Sequence, residues 1–247
     1  MVGYSLLAIG LLALAASILF ASTILTFTGL GLVFWGALVF FIRPHNYVRS
    51  EMMNASGLSS LQAVDKMMVG LGYTERAVYI PCDGADKIVA FIPSEPFSRI
   101  PNSSALDEGE MILKNPDGLV VIPPGLALAN LIKEKMKFDS DKNISLEKLV
   151  QSLPKVLVEE LEIARDVEAE VDGAHVKFKL IDSIYADFCQ QVHESSRRCG
   201  LGCPLCSALG CVLASASGKP VLLEDDKVSE DNKISETSYK ILEGSRL

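Results

Sequence analysis

Asp, Glu, Lys, Arg and His are all absent between Met1 and Ile42 of this 247-residue chain. An uncharged apolar run of that length partitions into lipid, because segments of a water-soluble core are shorter and carry a polar side. A secretory signal peptide is excluded by what the run lacks: it has no basic leader, and its apolar part far exceeds the ~7–15 residues such signals use. A single helix would be about twice as long as the ~30 Å hydrocarbon core is thick. Two spans therefore fit, at about 4–21 and 28–42. The turn is expected between them, where hydroxyls of Ser22, Thr23, Thr26 and Thr28 can satisfy freed backbone groups beside Gly29. Gly29, Gly31 and Gly36 with Ala37 make a small-residue strip on which the two helices pack together.

Basic residues are absent before the first span, whereas Arg43, His45, Arg49 and Lys66 follow the second. The positive-inside rule places the C-terminal part in the cytoplasm, beneath the cell membrane. Three acceptor tripeptides, starting at Asn54, Asn102 and Asn143, have meaning only on an exported domain. Such tripeptides arise by chance, and the juxtamembrane charges outweigh them. The expected division is a transmembrane anchor over 1–45 and a cytoplasmic domain over 46–247.

The domain also lacks the common catalytic signatures. There is no Gly-x4-Gly-Lys-Ser/Thr loop, no His-Glu-x2-His, no Gly-x-Ser-x-Gly and no Gly-x-Gly-x2-Gly. With three histidines in the chain, acid–base catalysis has few candidates, and the reading leans away from an enzyme. A basic surplus is missing too. The whole net charge of −8 falls on the domain, which excludes a nucleic-acid backbone and a polybasic lipid contact as its purpose. Glu159, Glu160 and Glu162 read as a solvated helix side rather than catalytic carboxylates.

What is present has the rhythm of hairpins and helices. Residues 58–71 space Leu58, Leu61, Val64, Met68 and Leu71 for an amphipathic helix, with Ser59 and Ser60 as candidate caps. With Asp65 and only Lys66 on its polar side, it is expected to dock on the core rather than lie on the membrane surface. Hairpins are expected for 76–81 with 87–93, for 110–114 with 119–123, and for 166–171 with 174–181, each closed by Gly or Asn turns. In the third, Val176, Phe178 and Leu180 alternate inward, and His175 points to solvent. Helices are expected over 126–136, over 145–161 with Ser145 as cap and a break near Pro154, over 184–194 and over 204–217. Strands at 219–224 and 238–242 then flank a charged loop, 225–236. Hairpins without a βαβα rhythm indicate an α+β fold around an antiparallel sheet.

Five of the six cysteines crowd between positions 189 and 211: Cys189, Cys199, Cys203, Cys206 and Cys211. In a reducing cytoplasm, stable disulfides are not expected, and three readings remain. Cys189 and His193, four apart on a helix, can face one ion, with Cys199, Cys203, Cys206 and Cys211 as further soft donors for zinc or an iron–sulfur cluster. The Cys-x3-Cys-x2-Cys spacing matches that of radical-SAM enzymes, but too little chain follows Cys206 for their barrel. Alternatively, Cys203 and Cys206 form a redox dithiol, with Pro204 in the first turn and Cys203 at the cap against the helix dipole. In the third reading the cysteines are filler. Leu205, Leu209, Val212, Leu213 and Ala216 share one side of the helix, opposite Cys203, Ser207, Gly210, Ala214 and Ser217, so a neighbour can approach the small side closely.

The stretch Ser183-Ile-Tyr-Ala-Asp-Phe-Cys, the run Cys199-Gly-Leu-Gly-Cys-Pro-Leu-Cys-Ser-Ala-Leu and the strand Gly218-Lys-Pro-Val-Leu-Leu-Glu resemble uncharacterised archaeal membrane-anchored proteins. More distantly, the last third of the chain looks like the vinyl-reductase-type domain, an α+β module that binds small molecules. That resemblance implies a ligand pocket. The chain departs from it in lacking a late cysteine pair, since 225–239 contain none, which removes the basis for a metal site by analogy. Together these readings predict a membrane-tethered cytoplasmic sensor or binding domain for a small ligand or soft metal. The alternatives are a thiol switch and a structural subunit of a membrane complex.

Overall fold

The computed structural model describes residues 2–41, 50–82, 87–96, 99–101, 106, 110–137, 145–195 and 200–243. The chain divides into two compact units, Met1–Arg49 and Ser50–Leu247. Arg43, His45, Arg49, Cys199 and the tripeptides at Asn102 and Asn143 lie outside the described residues, as does the turn 83–86.

The first unit is a helical hairpin, α1 (Val2–Phe20) and α2 (Thr23–Phe41), each of 19 residues. The turn is shorter than the sequence suggests. Only Ala21, at φ 46°, and Ser22 leave the helical path, and residues 26–29 belong to α2. The hydroxyls explain this, because they satisfy groups within the helices rather than in a loop. Thr28 Oγ1 donates to the Ile24 carbonyl at 2.6 Å, and Thr26 Oγ1 reaches Ser17 Oγ at 3.0 Å across the hairpin. Close approach is set by Gly10, Gly29 and Gly36, where an added Cβ would press on Val33, Leu14 and Leu7 respectively. Gly31 faces open space, so the strip runs through Gly10 instead. Among the residues with described side chains, 5–20 and 23–39 in this unit, no helix is long and apolar enough to cross a membrane.

The second unit is α+β. Its eight strands form one antiparallel sheet in the order β3-β4-β2-β1-β7-β8-β6-β5. The strands are β1 (Val78–Pro81), β2 (Ile88–Pro93), β3 (Ile112–Lys114), β4 (Asp117–Val121), β5 (Asp166–Asp172), β6 (His175–Ile181), β7 (Val221–Val228) and β8 (Ile234–Ile241). The three expected hairpins all form, and β1 and β2 end at Pro81 and Pro93. The sheet is closed in its middle by β1 on β7, where Val78 pairs with Leu222. That long-range pair joins the two halves, and no local pattern announces it.

The last two strands are longer than expected. Residues 225–228 and 234–236 belong to β7 and β8, and the connection shrinks to 229–233. Their charges stand on strands of the sheet rather than in a loop. In register, Glu168 pairs with Lys179, Lys179 with Glu236 and Glu236 with Lys227, giving a row of alternating sign over four strands.

Five helices of the described residues pack in this unit: α3 (Ser50–Gly70), α4 (Leu126–Lys135), α5 (Leu146–Lys155), α6 (Ala186–Ser195) and α7 (Pro204–Ser217). α3 starts well before the predicted 58–71, so Ser59 and Ser60 lie inside it rather than at a cap. It buries Leu61, Asp65 and Met68. Val64 and Leu71, expected inside, are exposed, because the 61–65–68 stripe is the one that docks. Pro154 does not divide the expected helix over 145–161. The coil widens after it into a π-turn, Val156–Glu160, in which Leu161 N donates to the Val156 carbonyl at 3.0 Å. Ser145 occupies the cap position of α5 without making a side-chain capping bond. Ile184 precedes α6 and is exposed, while Phe188 and Val192 are buried. α7 runs as expected and ends at Gly218, which takes the left-handed conformation at φ 62°.

Two apolar clusters result. The larger unites α3 to α7 with the helix-bearing side of the sheet, and the smaller covers the other side of β1, β2 and β4 around Val78, Ile80, Phe91 and Val120. α7 lies at the centre of the larger, with residues 205–214 all buried.

A buried three-sulfur site at the head of α7

The cluster forms where the chain enters α7. Residues 200–202 are tied to β1 and the segment before it: Ala77 N donates to the Gly200 carbonyl at 2.9 Å, and the Tyr79 hydroxyl donates to the Leu201 carbonyl at 2.8 Å. Gly202 adopts a left-handed backbone conformation that side chains disfavour. It turns the chain so that Cys203 becomes the N-cap of α7. The Cys206 backbone N–H donates to Cys203 Sγ at 3.5 Å, and Pro204 occupies the first turn, where no N–H is needed.

Cys189, in the first turns of α6, meets this cap. The sulfurs of Cys189, Cys203 and Cys206 all lie within 4.8 Å of one another, and all three residues are buried. Cys206 Sγ is 3.4 Å from Cys203 Sγ. Cys189 and Cys203 are joined as a disulfide, where reduced thiols are the expectation from sequence. The reason is geometric: the Gly202 turn presents the cap sulfur directly to α6, so the two thiols touch.

The other described candidates stand apart from this trio. Cys211 is buried further along α7, where burial pushes its thiol up to about 12. It is a neutral thiol held for packing. Cys82 belongs to the smaller apolar cluster, across the sheet. His193 is turned to Asp226 on β7, with Nε2 to Oδ2 at 3.0 Å, and Arg76 holds the other oxygen of that carboxylate at 2.5 Å. His175 is half-exposed and pairs with Glu224 at 2.9 Å.

The Arg76–Asp226–His193 group is hidden in the sequence, because Asp226 there reads as part of a charged loop. Its one signal is faint. Val221 and Leu223 face inward along β7, and a bulge between Leu223 and Asp225 shifts the alternation so that Asp226 is buried as well. Burial alone would raise the Asp226 carboxyl, yet hydrogen bonds from His193 and Arg76 bring it below its ordinary value. The bond to Asp226 raises His193 against the opposing effect of burial. The stabilisation from His193 is therefore fully present below its ordinary 6.5 and is lost as pH rises through the raised value. Accordingly, the difference in melting temperature between the wild type and His193→Gln should be larger at mildly acidic than at alkaline pH. A pH-independent difference would contradict this.

α7 is also gripped below the cap. The buried Tyr239 hydroxyl donates to the Cys206 carbonyl at 2.7 Å, and Ser207 Oγ accepts from Gly125 N at 3.1 Å. Burial, and then the neighbouring Cys206 and Tyr79, hold the Tyr239 phenol well above its ordinary value, so it stays a donor. A Cβ at Gly210 would come within 2.3 Å of the Tyr79 ring. The small side of the helix is thus closely approached, as its sequence suggests.

Donor chemistry fits a soft metal. Zinc–thiolate bonds of ~2.3 Å in a tetrahedron set sulfurs about 3.8 Å apart, so Cys189 and Cys203 would hold an ion together only as reduced thiols with their sulfurs drawn apart. The same atoms suit thiol–disulfide chemistry, since Cys206 neighbours the bonded pair.

None of the curated proteins matches this sequence. Among solved structures, trafficking protein particle complex subunit 3 from Naegleria fowleri, covalently bound to palmitic acid, is similar with 14% identity and a TM-score of 0.36. The similarity covers 50% of this chain and 76% of that one. The family profile described as Domain of unknown function (DUF7982) matches residues 2–238, and the chain belongs to that family.

Proposed function

We propose that this protein is a membrane-tethered domain that holds one soft metal ion, of the zinc class, through Cys189, Cys203 and Cys206. The observation that carries the reading is the burial of three sulfurs from two helices within 4.8 Å of one another. Three donors so placed satisfy most of a tetrahedral shell. When bound, the metal would draw α6 onto the head of α7 and so link occupancy to the packing of the domain. A sensor needs that coupling.

The tether is the helical hairpin. Ile18, Leu19 and Phe20 of α1 and Ile24, Phe27, Phe34 and Trp35 of α2 are exposed, and the unit has no ionisable side chain of the Asp, Glu, Lys, Arg or His type before Arg43. An exposed apolar surface of that extent is unstable in water and stable in lipid. Helices of 19 residues come close to the length that the ~30 Å hydrocarbon core requires. The basic residues Arg43 and Arg49 in the sequence after α2 support a cytoplasmic position for the domain.

A second reading is favoured by the bonded Cys189–Cys203 pair: a thiol switch in which a peroxide takes two electrons and two protons from those two thiols, being reduced to water or alcohol, and the disulfide so formed replaces metal binding. The two states exclude each other at the same atoms. Cobalt(II) titration of the reduced full-length chain in detergent separates them. Thiolate-to-cobalt charge-transfer absorption saturating at one ion per chain is expected. A titration without that absorption overturns the metal reading.

A further inference from the structure

We infer that the free edge of β5 takes up an extended basic segment of a partner protein as a further strand of the sheet. β5 stands at one end of the strand order and pairs with β6 along its whole length without a bulge. The opposite edge, β3, has only 3 residues. Natural sheets block their edges with short strands, bulges, prolines and lysines, and β5 has none of these. Its backbone is also open on that side. The Val167 N–H is taken at 2.8 Å by Asp166 Oδ1 rather than by β6. By the alternation of a strand, Ala169 and Val171 present their N–H and C=O groups on the same side. Among the described residues, no backbone bond from another element reaches these groups.

Charge selects the occupant. Asp166, Glu168, Glu170 and Asp172 are exposed on the open side of β5, whereas Val167, Ala169 and Val171 pack towards the helices. The cross-strand rows alternate in sign: Lys179 meets Glu168 at 3.1 Å, and Lys177 stands opposite Glu170 in register. Both rows end at β5 on an acid, so a basic residue continues them. A second copy does not fit, because β5 paired antiparallel with itself would set carboxylate against carboxylate. There is also room for long basic side chains. Glu168 and Glu170 line a groove of about 350 Å³ on the open side of the sheet. The segment that fits therefore has Lys or Arg at alternate positions, with small or apolar residues between them to extend the stripe of Val167, Ala169 and Val171. Nothing in this surface depends on the sulfur site or on the tether.

The probe is a fluorescein-labelled peptide, Lys-Thr-Lys-Val-Lys-Thr-Lys, titrated with the full-length protein in detergent and followed by fluorescence anisotropy. Saturable binding is expected. In an antiparallel added strand, the amides between the lysines face β5 and the lysine amides face away. N-methylation of the Thr and Val amides is therefore expected to weaken binding more than ~10-fold, since about three backbone bonds are lost. N-methylation of the lysine amides should leave affinity within a few-fold. If the two methylated peptides bind alike, charge alone holds them and strand addition is overturned. Absence of binding by the unmethylated peptide overturns it as well. Glu168→Lys combined with Glu170→Lys should weaken the unmethylated peptide more than ~10-fold, because like charges then face each other. Unchanged affinity in that variant, with an intact melting transition, overturns the choice of a basic segment. Should the variant not fold, the methylated pair still decides on the wild-type protein.

Discussion

Gly125→Ala is expected to destabilise the domain by about 3 kcal/mol or more, at the upper end of overpacking costs. Gly125 immediately precedes α4 and lies against α7. A Cβ there would come 2.2 Å from the Ala208 nitrogen and 2.3 Å from the Pro204 carbonyl oxygen. Both are backbone atoms of a helix buried on all sides, so neither can swing away as a side-chain tip would. Relief requires α4 to withdraw from α7, which also stretches the bond from Gly125 N to Ser207. Gly70→Ala provides the contrast. Its Cβ meets nothing within 4 Å at the end of α3. That change should be neutral or gain up to ~1 kcal/mol of helix propensity. Chemical denaturation of both variants in the same detergent, followed by circular dichroism, measures the difference. Equal stabilities would show that α4 and α7 are not packed as described.

Cys203→Ser is expected to weaken metal binding more than ~100-fold. Loss of an outer partner of a metal ligand already costs ~10–100-fold, and Cys203 is itself a proposed ligand. Of the three, it is the one bonded to Cys189 and in contact with Cys206. Cys211→Ser makes the counter-test. It removes a sulfur from the same helix, five residues beyond Cys206, but that thiol is pushed up to about 12 and lies outside the trio. Metal affinity should stay within a few-fold of the wild type, with some stability lost from the core. Competition against a chromophoric chelator reads both. A large loss of affinity in Cys211→Ser with none in Cys203→Ser would place the site elsewhere.

What is legible in the sequence follows the range of the forces involved. Turns and helix ends are local, so the hairpin at Gly173 and the stop at Gly218 can be read from single residues. The inward alternation of Val176, Phe178 and Leu180 is equally plain, because one side of β6 is buried. Long-range pairing is not legible. The charges of 225–236 look like a solvated loop, although Lys227 and Glu236 face each other in register within the sheet. Likewise Val64 and Leu71 fit a helical stripe as well as Leu61 and Met68 do, and only the docked position of α3 chooses between them.

At the site, Cys189, Cys203 and Cys206, close along the chain, have sulfurs within 4.8 Å of one another, since a cap and a nearby helix are neighbours in sequence. His193 is credible for the same reason, four residues from Cys189. Its partner is instead the buried carboxylate of Asp226, 3.0 Å away. No rule of spacing contains that competition, because Asp226 and Arg76 arrive from segments far along the chain.

If three sulfurs act together on one metal ion, the purified protein should carry that ion. Elemental analysis of the full-length chain prepared under reducing conditions, with thiols counted before and after unfolding in chelator, tests this most directly. One zinc-class ion per chain is predicted, with additional thiols becoming reactive when the ion is removed. A metal-free protein in which Cys189 and Cys203 remain oxidised would contradict it and leave the thiol switch in its place.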